Sequence, residues 1–399
     1  MYTPSTTTLD KYADVLICFA LNSGKGIAKN DVVLLVTPVE GMPLAMAVYA
    51  KILDCGGHPI IHLLDDDFKL AHLQHGSDAQ ISFFANKYYR GMADQIDHWV
   101  RILADRDPLF LKDVAPRKIM LQNQSQRPFR EWLDKKEDNG KFTWTLCLYG
   151  TEGLAAQAGM SLPKYWEQIN RACFLDQPDP IKRWRTVFAD ITRIQKRLTA
   201  LPIKELHVRA PKTDLRVVLG EKRQWLGGSG RNIPSFEIFT SPDWRGTEGT
   251  VSFELPLYRY GNIIKGIQLT FHNGLIVKAT ATKNEKLLRE MIGQKNANKI
   301  GEFSLTDSRH SRINKFMADS LYDENFGGTH GNMHLAVGRA YHDALAGDTS
   351  KMTQKQFEAL GFNHSPEHTD IIAGTDRVVT ATLRDGSTKV IYEGGEFRV

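Results

Sequence analysis

Cysteine is scarce in this 399-residue chain: Cys18, Cys55, Cys147 and Cys173 are the 4 present, and no two form a CxxC pair. That spacing suits reduced core thiols better than disulfides or a zinc cage. Long apolar runs are missing as well. No stretch of about 18 apolar residues occurs, so no membrane span is predicted. The opening MYTPSTTTLDKYADV lacks a charged start ahead of an apolar block, so no secretory leader is predicted and a cytoplasmic protein is expected. Lys and Arg never gather into a long run, and the net charge of +5 is mild, so nucleic acid is not an expected partner. The basic KRWRT (182–186) reads as a solvated helix face.

Familiar catalytic signatures are absent too. There is no GxGxxG and no GxxxxGK[ST], and SGKG (23–26) precedes the first predicted strand instead of following it. HExxH fails because Gly331 follows His330, and GGSG (227–230) is not a GxSxG elbow. Dinucleotide, P-loop, zincin and serine-elbow chemistries are thereby excluded.

What remains is a soluble globular composition, with 42% apolar and 24% charged residues, and a length that predicts two domains. The first, residues 1–190, alternates helix and strand. A helix over Leu9–Ala20 is followed by VVLLVTPV (32–39), a continuous β-branched run suited to a strand buried on both faces. A helix at Met42–Leu53, stopped by CGG, leads to a second buried strand, HPIIHLL (58–64). KIMLQNQ (118–124) and FTWTLCLYG (142–150) are predicted to join them in a mostly parallel sheet with helices on both faces. Helices at 163–174 and 179–201 lead out of it. The second domain, residues 191–399, is predicted α+β and largely antiparallel, from ELHVRAP, DLRVVLG, VSFELPLY, GIQLTF and LIVKATAT to a final hairpin turning at DG. One helix is expected near Glu285–Ile292, a strand at KIGEFSL (299–305) and a helix at Asn332–Ala346.

Chemistry-bearing residues gather in this second half. On the predicted helix, with Asn332 as N-cap, His334 and Tyr341 are seven apart and share a face about 10 Å apart. His368 and Asp370 are two apart, which in an extended strand aims both to one side. Glu302 lies at the heart of the apolar strand KIGEFSL, where a carboxylate needs a cation or a strong partner. Glu237 sits between Phe236 and Ile238 in NIPSFEIFTSP. Three carboxylates and two imidazoles form an O/N donor set suited to a pair of Zn, Co or Mn ions. Asp323, Glu324 and Asn325 fit either an orienting role toward the imidazoles or a solvated turn. Arg339 reads as a surface helix residue.

The ordered set TDL (213–215), NIPxxExFTSP, LYDEN, HLAVGRAY and HxD, with the opening from LDKYADVLI through CGGHPIIHLL, resembles the metal-dependent aminopeptidase family typified by aminopeptidase T and aminopeptidase S. The resemblance spans nearly the whole chain. It implies a two-metal site with ligands Glu237, Glu302, His334, His368 and Asp370, a parallel N-terminal domain, a C-terminal catalytic domain, peptide substrates and a homodimer. It also implies catalytic roles for Glu302, as bridging carboxylate and base, and for Tyr341, as donor to the oxyanion. Two departures stand out: the family's NIPTEE has Phe236 in place of its first glutamate, and the glycine-rich FGGTHGNM is expected to bring His330 within reach of the cleft. An alternative set, His334, His368 and Asp370, matches a mononuclear Fe(II) ring-cleaving oxygenase, for which the resemblance implies histidine where this chain has Glu302. A non-catalytic family member is the third reading.

Overall fold

The computed structural model describes residues 2–349 and 351–399. It divides into two compact units: Met1–Arg185 with Ser229–Ser235 and Tyr260–Asn262, and Thr186–Gly228 with Phe236–Arg259 and Ile263–Val399.

In the first unit, β1 (Val32–Pro38) buries every residue after Val32, as its unbroken apolar run requires. It pairs in parallel with β2 (His58–Leu64) on one side and β3 (His98–Leu103) on the other. β3 continues to β4 (Thr143–Leu148), which pairs with the short strand Asn232–Ile233. Helices α1 (Thr6–Val15) and α2 (Met42–Asp54) flank this parallel sheet; Pro43 lies in the first turn of α2, where its missing N–H costs nothing. Leu34, Val36, Ala93, Ile96, Phe129, Leu133 and Phe142 form one core beside it.

Three sequence expectations change here. HPIIHLL is an edge strand bonded to β1 alone, and Ile61, Leu63 and Leu64 are exposed, so it is not buried on both faces. KIMLQNQ is helical: it lies in Pro116–Ser125, opened by Pro116, and only Ile119 of that helix is buried. Its three apolar residues are too few to fill a central strand. The strand position goes instead to HWVRIL, where His98, Val100 and Ile102 alternate inward.

The second unit carries an eight-stranded antiparallel sheet whose order runs Leu275–Thr280, Ile267–His272, Glu248–Phe253, Thr213–Val218, Ile203–Ala210, Val378–Leu383, Thr388–Glu393, Glu396–Phe397. Its first hairpin turns at Asn273 and Gly274, both at positive φ (50° and 76°), the turn chemistry that Asn-Gly favours. The helix at Glu285–Ile292 is present as predicted.

A second antiparallel sheet holds β5 (Glu237–Thr240), β6 (Ile300–Thr306), β7 (Asn332–Gly338) and β8 (His368–Ala373), in the order β8-β7-β6-β5. β7 corrects the helix expected at Asn332–Ala346. NMHLAVG is buried at all seven positions and hydrogen-bonded to β6 on one side and β8 on the other. A short, wholly buried run reads equally as helix or strand by periodicity; here Gly331 and Gly338, at φ +57° and +102°, bound it as a strand. Mixed parallel and antiparallel architecture is as the sequence predicts. Among the described residues, no helix is long and apolar enough to cross a membrane.

Candidate metal centre

Register decides which side chains meet. In an antiparallel ladder, opposed residues project to the same face, and so do residues two apart along a strand. His334 on β7 opposes Ser304 and Ile372; Ala336 opposes Glu302 and Asp370; Gly338 opposes His368; Thr306 opposes Glu237. Glu237, Glu302, His334, His368 and Asp370 therefore share one face, each strand giving at least one. Ala336 and Gly338 between them are small and leave room for the longer acids. Phe236 alternates to the other side and is fully buried, while Glu237 projects into the cluster.

The five groups converge. His334 Nε2 lies 3.0 Å from Glu302 Oε1, 3.5 Å from Glu237 Oε2 and 3.9 Å from Asp370 Oδ1. His368 Nε2 lies 3.5 Å from Asp370 Oδ1 and 3.9 Å from Glu302 Oε2. Ligand atoms of Glu237, Glu302 and His334 all fall within 4.8 Å of one another. The Nδ1–H of His368 donates to the Arg339 carbonyl at 2.8 Å, so Nε2 carries the free lone pair of the neutral ring toward the carboxylates. Arg339, expected on a helix surface, instead follows β7 and bonds Glu367 through its N–H.

Protonation reflects crowding. By the side chains alone, burial and then the charge of Glu302 push Glu237 up to about 8. Burial by itself would lower His334, but its hydrogen bond to Glu302 and the charges of Asp370, Glu302 and Glu237 outweigh that and raise it to about 9. His368 is likewise raised to about 9, burial opposing and Asp370 prevailing. For Asp370, burial pulls upward, yet His368 and His334 hold the carboxyl below the usual carboxylate range. Among the described residues, the buried atoms His334 Nδ1 and Asp370 Oδ1 have no hydrogen-bond partner.

A further acid joins this group. Glu324 is buried, and its carbonyl accepts from Asn332 Nδ2 at 2.8 Å and Thr306 Oγ1 at 3.3 Å, two residues on the same sheet face. Burial, and then the charges of Glu237, Asp370 and Glu302, raise its carboxyl well above the ordinary value. The solvated-turn reading of Asp323–Asn325 is thus corrected: Asp323 is 2%, Glu324 6% and Asn325 0% exposed. Asp323 accepts from Met317 N at 2.7 Å and Asp319 N at 3.1 Å. Asn325 Oδ1 accepts from Phe236 N at 2.6 Å, fixing the residue beside Glu237, while its Nδ2 donates to Leu321 O at 2.9 Å. The available signal was the apolar Leu321–Tyr322 immediately before these polar residues.

Three carboxylates around two imidazoles, with the buried Glu324 carboxyl feeling their charge, fit divalent cations. Their mutual repulsion and desolvation need positive charge between them, and an O/N donor set of this kind suits Zn, Co or Mn. Tyr341 lies outside any helix; its ring packs edge-on to His368 at 5.0 Å, and its N–H donates to Ser241 Oγ at 2.9 Å. His330, expected near the cleft, is 44% exposed at its side chain and faces Asp376 at 3.8 Å instead.

Known proteins resemble this chain along nearly its whole length. The model of the thermophilic metalloprotease (M29) family matches residues 5–397. Aminopeptidase PepS of Streptococcus thermophilus is 26% identical, covering 98% of this chain and 97% of its own. Aminopeptidase T of Thermus aquaticus is 27% identical over 98% of each, and aminopeptidase AmpS of Bacillus subtilis is 31% identical over 73% of this chain and 74% of its own. The solved structure of wild-type AmpT from Thermus thermophilus superposes with a TM-score of 0.84 at 24% identity, covering 98% of this chain and 99% of that one, which fixes the fold.

Proposed function

The chain belongs to the thermophilic metalloprotease (M29) family and is a metal-dependent peptide-bond hydrolase, and from that premise we propose that it removes the N-terminal residue from peptides at a two-metal site in its second unit. The observation that carries this reading is the convergence of two histidines and the carboxylates of Glu237, Glu302 and Asp370 on one sheet face. Those five residues are the proposed metal ligands, and the buried Glu324 carboxyl adds to the charge around them. When bound, a pair of divalent ions supplies Lewis acidity that brings the pKa of water toward neutrality and polarises a peptide carbonyl.

The chain's own groups then divide the work. Glu302 takes the proton of the attacking water and returns it to the departing amine. Its two oxygens face different histidines, which suits the carboxylate shared by both halves of the site. Tyr341, packed edge-on against His368, donates a hydrogen bond to the tetrahedral oxyanion, an interaction stronger in the transition state than with the planar carbonyl. The Arg339 carbonyl keeps His368 Nε2 aimed inward.

A two-histidine, one-carboxylate iron site uses fewer acids than stand here, so ring-cleaving oxygenase chemistry is not favoured. A cytoplasmic homodimer completes the reading and rests on the family resemblance. The test is metal analysis of untreated protein beside hydrolysis of leucyl and methionyl chromogenic substrates. About two equivalents of Zn, Co or Mn and cleavage restricted to substrates with a free amine are expected. Bound iron alone, or equal cleavage of amine-blocked substrates, would overturn the proposal.

A further inference from the structure

The four cysteines, expected to be alike as core thiols, are not alike. Cys147 and Cys173 are buried, whereas Cys18 and Cys55 are half-buried and their Sγ atoms stand 3.8 Å apart. They are 37 residues apart in sequence, so spacing alone gave no hint of the pairing. α1 runs on past Val15 into a widened helical turn, Leu16–Ala20, that carries Cys18; Cys55 caps the C-terminus of α2. Four residues earlier on each segment, Asp14 and Lys51 form an ion pair at 2.8 Å. The thiols are therefore the second rung of a two-rung contact between these helices, and the first rung holds them side by side.

We propose that Cys18 and Cys55 are a redox-active pair closed by a small-molecule disulfide such as oxidised glutathione, a modification that ties α1 to the end of α2. A disulfide needs its sulfurs about 2.05 Å apart. Side-chain rotation, together with give at Gly56, which follows Cys55 at φ +77°, supplies the remaining approach. One cysteine thiolate attacks a sulfur of oxidised glutathione, forming a mixed disulfide and releasing one glutathione thiolate. The second cysteine, deprotonated to solvent, attacks the protein sulfur of that mixed disulfide and releases the second glutathione. Two protein thiols become one disulfide, and one oxidised glutathione becomes two reduced molecules. Burial, reinforced by Cys55, pushes the Cys18 thiol up to about 12, which slows the first attack, and the 3.8 Å separation then favours closure of the pair once a mixed disulfide has formed. The bond closes a loop that contains β1 and limits the freedom of the unfolded first unit.

The test uses the full-length protein incubated with oxidised glutathione, quenched with iodoacetamide and digested without reductant. Mass spectrometry is expected to find a linked Cys18–Cys55 peptide as the main product, with Cys147 and Cys173 still reduced. The Tm should rise by on the order of 5 °C, and dithiothreitol should reverse both changes. Cys55→Ser should abolish both the linked peptide and the Tm rise. Free thiols throughout, stable glutathione adducts without the linked peptide, or a linked peptide whose Tm is unchanged or lower would each overturn the proposal; because the unaltered protein carries the primary readout, misfolding of the variant cannot mask the result.

Discussion

Glu302 divides its two oxygens between two histidines: Oε1 stands 3.0 Å from His334 Nε2, and Oε2 stands 3.9 Å from His368 Nε2. One side chain thus touches both halves of the cluster. Glu302→Gln keeps the shape and removes the charge and the proposed base. It is expected to lower kcat by about 10²–10⁴-fold with Tm held or raised, measured by steady-state kinetics beside thermal unfolding.

Stripping the metal should expose the strain of the acids. Glu237, raised from 4.5 to about 8 by burial and then by Glu302, holds a proton in the folded chain that the unfolded chain has already lost, so its contribution to stability falls as pH rises through that window. His334 and His368, raised from 6.5 to about 9, stabilise the fold below pH 6.5, and that gain is lost as pH rises through 9. All three slopes share a sign. The Tm of chelator-treated protein is expected to fall between about pH 6.5 and 9, and added Zn or Co should flatten the slope; a metal-free Tm that climbs over this range would count against the cluster.

Asn325 joins the strand of Glu237 to the segment of Glu324. Asn325→Ala leaves the buried Phe236 N–H without its acceptor at 2.6 Å. A stability loss of about 1–3 kcal/mol and a metal affinity weakened about 10–100-fold are expected, read by urea unfolding and by competition with a chromogenic chelator.

At Gly338, φ is +102°, and a Cβ would come within 2.1 Å of the Glu367 carbonyl oxygen. Gly338→Ala should therefore cost more than about 3 kcal/mol, because both the backbone region and the space are denied. Unfolding midpoints that match the unaltered protein would show that β7 and β8 can part there at little cost.

Tyr341→Phe keeps the ring against His368 and removes the donor. The expected outcome is a fall in kcat of about 10²–10³-fold with KM little changed, the split that marks an interaction made in the transition state. A variant with raised KM and normal kcat would assign the hydroxyl to substrate binding instead.

The parallel sheet and the antiparallel half were legible in the sequence wherever a run was long or its turns were specific: VVLLVTP, FTWTLCL, and the Asn-Gly and Asp-Gly hairpins. HPIIHLL failed on burial because apolar content does not say whether a strand has one neighbour or two. The wholly buried run NMHLAVG satisfies both periods, so the helical spacing between His334 and Tyr341 does not hold in the strand, and Tyr341 packs on His368 instead. The His368–Asp370 alternation and the inward Glu302 agree with the register observed, because each depended only on the two-residue repeat of a strand. Glu324 escaped because its burial comes from long-range contacts with Thr306 and Asn332, which no local pattern encodes.

The proposed donors run from Glu237 on β5 to Asp370 on β8, so all four strands must come together before the set is whole. A cut in the chain anywhere between those two residues divides the proposed set, so neither fragment alone should hold the ions or cleave a peptide.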